Sequence, residues 1–193
     1  MMPRRNATIL AGAALFACVA ALAVLYVIPR SSVHRSPPDA LAGLEMAAAP
    51  QALPPITVVD AQGRKLALSA YRGRIVILNL WATWCAPCVH ELPALAQLAN
   101  ALGADRVAVL AVNTGQESGP ATAAFLKAHR AGNLAVVRDP SLSLLQVFGA
   151  EGLPFSVLVD AQGRQIGTAV GPLDWSDPQS VAYFRELGAK PAT

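Results

Sequence analysis

Cys85 and Cys88 stand three residues apart in Trp84-Cys85-Ala86-Pro87-Cys88, between an apolar run, Ile75–Trp81, and a helical pattern beginning near Cys85. Two cysteines at that spacing on a strand-to-helix junction suit dithiol–disulfide exchange. The first sulfur meets the unpaired N–H groups and the positive dipole end of the helix, which stabilise a thiolate. That lowers the thiol pKa and makes it a nucleophile near neutral pH. The second sulfur lies one turn further on, placed to attack a mixed disulfide and release the product.

Other uses of a cysteine pair fit less well. A structural disulfide has no need of a helix start, where the electrostatics favour reactivity. A tetrahedral zinc site lacks a second Cys-x-x-Cys or a His pair. Haem attachment needs His directly after the second cysteine, where Val89 stands and His90 comes one place late. Copper carriage remains an alternative because thiolates suit Cu(I). His90 and His129 read as helix-surface residues, Trp81 and Trp175 as packing, and Trp84 as a contact surface beside the thiols.

The elements around the pair follow from periodicity. Ile75–Trp81 and Val107–Val112 read as buried strands, with a helix over Cys85–Ala101 between them. Ala121–Arg130 reads as a helix, Leu134–Val137 as a short strand and Leu142–Phe148 as a short helix. Phe155–Val159 and Gln165–Val170 form a hairpin. Gln179–Leu187 closes the chain as a helix started by Asp177-Pro178. The hexapeptide Val59-Asp60-Ala61-Gln62-Gly63-Arg64 recurs at Val159–Arg164. We read two similar hairpin turns, the first joining Thr57–Val59 to Arg64–Leu68, rather than a duplicated fold. Strand–helix alternation followed by a hairpin and a helix predicts an α/β domain over 55–189, a mixed sheet with flanking helices.

Ahead of it, residues 7–28 contain no charged side chain. As a helix those residues span about 33 Å, enough to cross a bilayer. Residues 1–28 are expected to be an uncleaved membrane anchor. A cleaved signal ending near Ala21-Leu22-Ala23 and a lipoprotein acylated at Cys18 are the alternatives. Residues 29–54, rich in Pro, Ala and Ser, read as a flexible tether. Arg4, Arg5, Arg30 and Arg35 are four of the chain's 15 basic residues, which leaves 11 against 12 acidic ones beyond residue 35. The folded part is therefore near neutral, with no charge pattern for nucleic-acid binding.

The run Leu78-Asn79-Leu80-Trp81-Ala82-Thr83-Trp84-Cys85-Ala86-Pro87-Cys88-Val89-His90-Glu91-Leu92-Pro93, with Gly152-Leu153-Pro154-Phe155-Ser156 before a strand and the early hairpin, resembles the thioredoxin-like fold. Within it, the chain is similar to the TlpA/ResA-type membrane-anchored oxidoreductases from about Leu53 to Leu187. Gly171–Trp175 leans toward the TlpA branch. The resemblance implies that Cys85 attacks, that Cys88 resolves, and that Pro154 is a cis-proline beside them. Pro93 would kink the active-site helix. Trp84, Ala86, Pro87, Leu153 and Phe155 become candidate substrate-contacting residues, with the Leu153 backbone pairing with a bound strand.

Thioredoxins carry a buried aspartate six residues before the first cysteine; here Asn79 stands, and an amide cannot take up a proton. We expect it to satisfy backbone groups. Glu91 matches the glutamate typical of the TlpA/ResA group and is the candidate acceptor of the Cys88 proton. A solvated residue favoured by the helix dipole is the other reading of Glu91.

The resemblance further implies a bacterial inner-membrane protein with its catalytic domain in the periplasm and no cofactor beyond the redox-active pair. A DsbD/CcdA-type transmembrane donor would supply electrons. The acceptors would be disulfides in copper-centre assembly factors of cytochrome oxidase, or in apocytochrome c. Ala86-Pro87 is closer to the Gly-Pro of thioredoxin than to the Pro-His of strong oxidants, so a reductant is expected. Pro154-Phe155 lacks the Pro-Glu of CcmG-type proteins. A peroxiredoxin-like peroxidase on the same fold is the alternative enzyme, although Thr83 lies two rather than three residues before Cys85.

Overall fold

The computed structural model describes residues 36–189. The strands are β1 (Leu44–Ala52), β2 (Thr57–Val59), β3 (Lys65–Ala67), β4 (Ile75–Trp81), β5 (Val107–Asn113), β6 (Val137–Arg138), β7 (Phe155–Val159) and β8 (Arg164–Val170). The helices are α1 (Ala86–Leu102), α2 (Gly119–Ala128), α3 (Ser143–Val147) and α4 (Pro178–Ala189). All eight strands form one mixed sheet in the order β1-β8-β7-β4-β5-β6-β2-β3.

Every residue of β4 is buried, and the strand pairs parallel with β5 and antiparallel with β7. An apolar run without alternation is what a strand covered on both faces requires. Its side chains divide with a period of two. Ile75, Ile77 and Trp81 join the core packed by α1 and α4, whereas Val76, Leu78 and Leu80 join the core on the opposite face. Asn79 falls in the first set by position. A polar group is thereby delivered to the α1 side of the sheet.

The two copies of the hexapeptide make the same turn. Asp60 Oδ1 accepts N–H bonds from Gln62 and Arg64 at 2.9 and 2.8 Å, and Asp160 does the same for Gln162 and Arg164 at the same distances. Gly63 and Gly163 supply the left-handed φ values of 79° and 81°. The first hairpin, β2–β3, forms as predicted from sequence, and the structure adds it to the β6 edge through Val59 and Arg138. The closing helix also starts as predicted: Asp177 Oδ1 accepts the Gln179 N–H at 2.7 Å, and Pro178 opens α4. The strand expected over Leu134–Val137 is shorter and later, because Leu134 N–H closes a turn onto the Ala131 carbonyl.

The expected tether needs correction. Residues 44–52 are a strand, β1, pairing antiparallel with β8 at the far edge of the sheet, and Leu41 in the short 3₁₀ turn before it is fully buried. The ordered unit thus begins well before residue 55. Only Leu44 of β1 is buried, so backbone pairing rather than an apolar period defines the strand. Pro50 sits between Met46 and Gln51, where the register shifts, a position an edge strand tolerates. Leu41→Ala should cost about 2–5 kcal/mol of stability by leaving a cavity in the core. Urea denaturation will read this; an unchanged midpoint would show that the N-terminal turn adds nothing to the fold.

Among the described residues no helix is long and apolar enough to cross a membrane. The expected anchor, residues 1–28, lies outside the described residues, as does Cys18 within it.

Candidate active site

Two loops meet at the end of β4. Thr114, just past β5, donates its N–H and its hydroxyl to the Trp81 carbonyl at 2.8 and 3.2 Å. The Thr83 hydroxyl donates to the Glu117 carboxylate, whose own backbone carbonyl accepts from Arg138 Nη1 at 3.0 Å. The segment leading into the cysteines is thus laced to the β5–α2 loop. Sequence reasoning missed this contact, which joins residues 34 positions apart.

Cys85 caps α1. Its sulfur accepts the Cys88 N–H at 3.3 Å, its carbonyl accepts from Val89, and proline occupies the first turn. Cys85 and Cys88 are joined as a disulfide, with Cα atoms 5.3 Å apart. Cys88 is fully buried and Cys85 nearly so, at 6% exposure, whereas Trp84 is 74% exposed and Ala86 and Pro87 also face solvent. A partner approaching over Trp84 and Pro87 meets Cys85 first. Once reduced, the Cys85 sulfur lies where the helix terminus favours its thiolate.

The Leu153–Pro154 peptide is cis, and the buried Pro154 accepts the Gly171 N–H at 2.9 Å. Leu153 is half-buried. Phe155 departs from expectation. Its side chain is buried in the core on the face away from α1, because it is the first residue of β7 and points with Val157 and Val159. It offers no side-chain surface to a substrate. Helix α1 runs through Pro93 without a break.

Glu91 lies three residues after Cys88 on the same helical face, and it is buried, at 4% exposure. The solvated reading therefore fails. Oε1 accepts from Asn79 Nδ2 at 2.6 Å, while Oε2 accepts from the Leu173 N–H at 3.3 Å and from Trp175 Nε1 at 3.1 Å. Burial pushes the carboxyl pKa above its ordinary value, against these three donors, which favour the ionised form. The result is a carboxylate held ionisable inside the core and shifted toward the range useful for proton transfer.

Asn79 serves this carboxylate rather than backbone groups. Its Nδ2 donates to Glu91 and, at 3.1 Å, to Ser156 Oγ on β7. Trp175 likewise does more than pack. Its ring packs tilted against Phe184, with centroids 5.9 Å apart, while its N–H reaches Glu91. Trp175→Phe keeps most of the packing and removes one donor from the ionised form, so the Glu91 pKa should rise further. Following the Glu91 carboxyl carbon by NMR across pH checks this. An unmoved midpoint would mean that the indole does not stabilise the carboxylate.

Comparison with known proteins agrees with this geometry. Residues 49–171 match the AhpC/TSA family. The chain belongs to that family. The thiol-disulfide oxidoreductase ResA of Bacillus subtilis (strain 168) is 32% identical over 120 residues, covering 62% of this chain and 66% of that protein. The chain thus spans just under two thirds of that relative. ResA of Bacillus thuringiensis subsp. konkukian is 31% identical over 134 residues, 69% of this chain and 75% of that one. Among solved structures, a thiol:disulfide interchange protein DsbE of Chlorobium tepidum superposes with a TM-score of 0.59 at 29% identity, covering 70% of this chain and 96% of that one. The family's thioredoxin-like fold is the one predicted from the cysteine-bearing run.

Proposed function

We propose that the protein is a thiol–disulfide oxidoreductase that reduces protein disulfides. The carrying observation is a helix-capping Cys85 under an exposed Trp84, paired with a buried Cys88 one turn from a buried, hydrogen-bonded carboxylate. The names of its ResA and DsbE relatives support the same reaction class.

The Cys85 thiolate attacks one sulfur of a substrate disulfide, forming a mixed disulfide and expelling the other sulfur as a thiolate. Cys88 gives its proton to Glu91, and the Cys88 thiolate attacks Cys85 Sγ. The Cys85–Cys88 disulfide forms and the second substrate sulfur leaves reduced. Two electrons have passed to the substrate, and the enzyme ends in the disulfide state seen here. A further dithiol must reduce it for another cycle.

The chain would act on the periplasmic side of a bacterial inner membrane, held by residues 7–28 and fed by a DsbD/CcdA-type donor. Its substrates would be cysteine pairs awaiting metal, in copper-centre assembly factors or in apocytochrome c. The uncharged run of residues 7–28 and the Ala86-Pro87 dipeptide support this reading.

The deciding measurement is the reduction potential of the Cys85–Cys88 pair, equilibrated against thiol buffers. A value well below about −200 mV supports a reductant, and one near about −120 mV would make the protein an oxidant instead. A pair that does not exchange at all would leave the copper-chaperone and peroxidase readings. Anaerobic Cu(I) titration and peroxide consumption tell those two apart.

A further inference from the structure

Glu91 is so placed that only one of its oxygens can carry a proton. Oε2 faces the Leu173 N–H and the indole N–H of Trp175, both of which donate and neither of which can accept. A proton taken up by the carboxylate must therefore sit on Oε1, and there it meets the Asn79 NH₂ at 2.6 Å, a second donor. Two donors facing each other in a buried site leave an O–H unpaired, which is costly. The remedy lies in the same amide: Asn79 Oδ1 is buried and has no hydrogen-bond partner.

Resting on the reading of Glu91 as proton acceptor, the geometry points to a proton-coupled flip of the Asn79 side-chain amide. With Glu91 ionised, Nδ2 donates to Oε1 and to Ser156 Oγ. With Glu91 protonated, the amide turns over about its terminal torsion, and Oδ1 accepts from the Glu91 O–H. Ser156 keeps its bond in both states, because a hydroxyl accepts from Nδ2 in one and, after rotating, donates to Oδ1 in the other. The amide nitrogen and oxygen are nearly isosteric, so no backbone movement is needed. One polar atom of the amide is left unpaired in each state, Oδ1 in the first and Nδ2 in the second, so the flip adds no bias of its own. An aspartate here would set a second negative charge against Glu91. Asparagine can serve both the charged and the neutral carboxyl.

Asn79 of β4 and Leu173 and Trp175 after β8 bond to Glu91, Ser156 of β7 bonds to Asn79, and Cys88 lies three residues before Glu91 on its own helix. Of these side chains Cys88 alone titrates, and in the disulfide it does not.

The test is a pH titration of the isotope-labelled full chain in its disulfide form. The Glu91 carboxyl carbon and the Asn79 side-chain NH₂ group are followed together by NMR. The NH₂ signals should shift with the Glu91 midpoint, and their contacts to neighbouring protons should exchange sides. Glu91→Gln should hold Asn79 in the low-pH arrangement at every pH, because the Gln carbonyl satisfies Leu173 and Trp175 while its NH₂ faces Asn79. An Asn79 signal that stays fixed while Glu91 titrates would overturn the flip and leave the proton-acceptor reading intact. So would a Glu91→Gln protein whose Asn79 keeps the high-pH arrangement. The acceptor reading itself stands or falls on exchange kinetics.

Discussion

Cys88→Ala is expected to turn the protein from a turnover catalyst into a covalent trap. Cys85 would still cap α1 and still attack a substrate disulfide, since its thiolate is stabilised by the helix terminus and not by Cys88. The mixed disulfide would have no internal thiol to resolve it. The loss of turnover should be about a thousandfold or more, with one equivalent of substrate retained on Cys85. Intact-mass measurement before and after reduction detects the adduct. Cys85→Ala should behave differently, because Cys88 is fully buried and out of a protein partner's reach, so no adduct should form. Adducts on Cys88 in that variant would reverse the assigned roles.

Glu91→Gln is expected to act on rate and stability in opposite directions. Removing the proton acceptor should slow resolution of the mixed disulfide by roughly 10²–10⁴-fold and flatten its pH dependence. Stopped-flow kinetics on a preformed mixed disulfide read this step alone, and an unchanged rate across pH would sink the role. Stability follows from the direction of the pKa shift. The folded-state pKa lies above the ordinary value of 4.5, so the native state binds more protons than the unfolded chain between the two values. The favourable contribution of the neutral carboxyl is complete below the unfolded pKa and is lost as pH rises through the folded one. Glutamine has no such loss. The variant should therefore melt higher than the parent near pH 7, with a gain that shrinks as pH falls toward about 4. A variant that melts lower at pH 7 would show that the three hydrogen bonds outweigh the burial penalty.

A common cause lies behind what was hard to read in the chain. The strand β1 escaped because an edge strand with a single buried side chain carries no period; its stability comes from pairing with β8, more than a hundred residues away. Phe155 looked like contact surface beside Pro154, yet it is the first inward residue of β7, and a shift of one position along a strand reverses the face a side chain occupies. Trp175 gave no sign beyond its bulk. Asn79 was the exception: a polar residue in the same alternating set as Ile77 and Trp81 is a signal of a buried polar contact, although not of its partner.

Glu91 was named as proton acceptor by the resemblance to the TlpA/ResA group; the sequence by itself determined the reactive pair, its place at a helix start and the two matching hairpin turns. These rest on spacings of a few residues, where helix geometry and turn chemistry act directly along the chain. Only the tertiary structure decided that Glu91 is buried, that its carboxylate is held by Asn79, Leu173 and Trp175, and that Ser156 completes the set. Those partners lie 12, 82 and 84 residues from Glu91, and Ser156 lies 77 from Asn79. No local rule links positions so far apart; the sheet order and the packing of α1 across it bring them to one point.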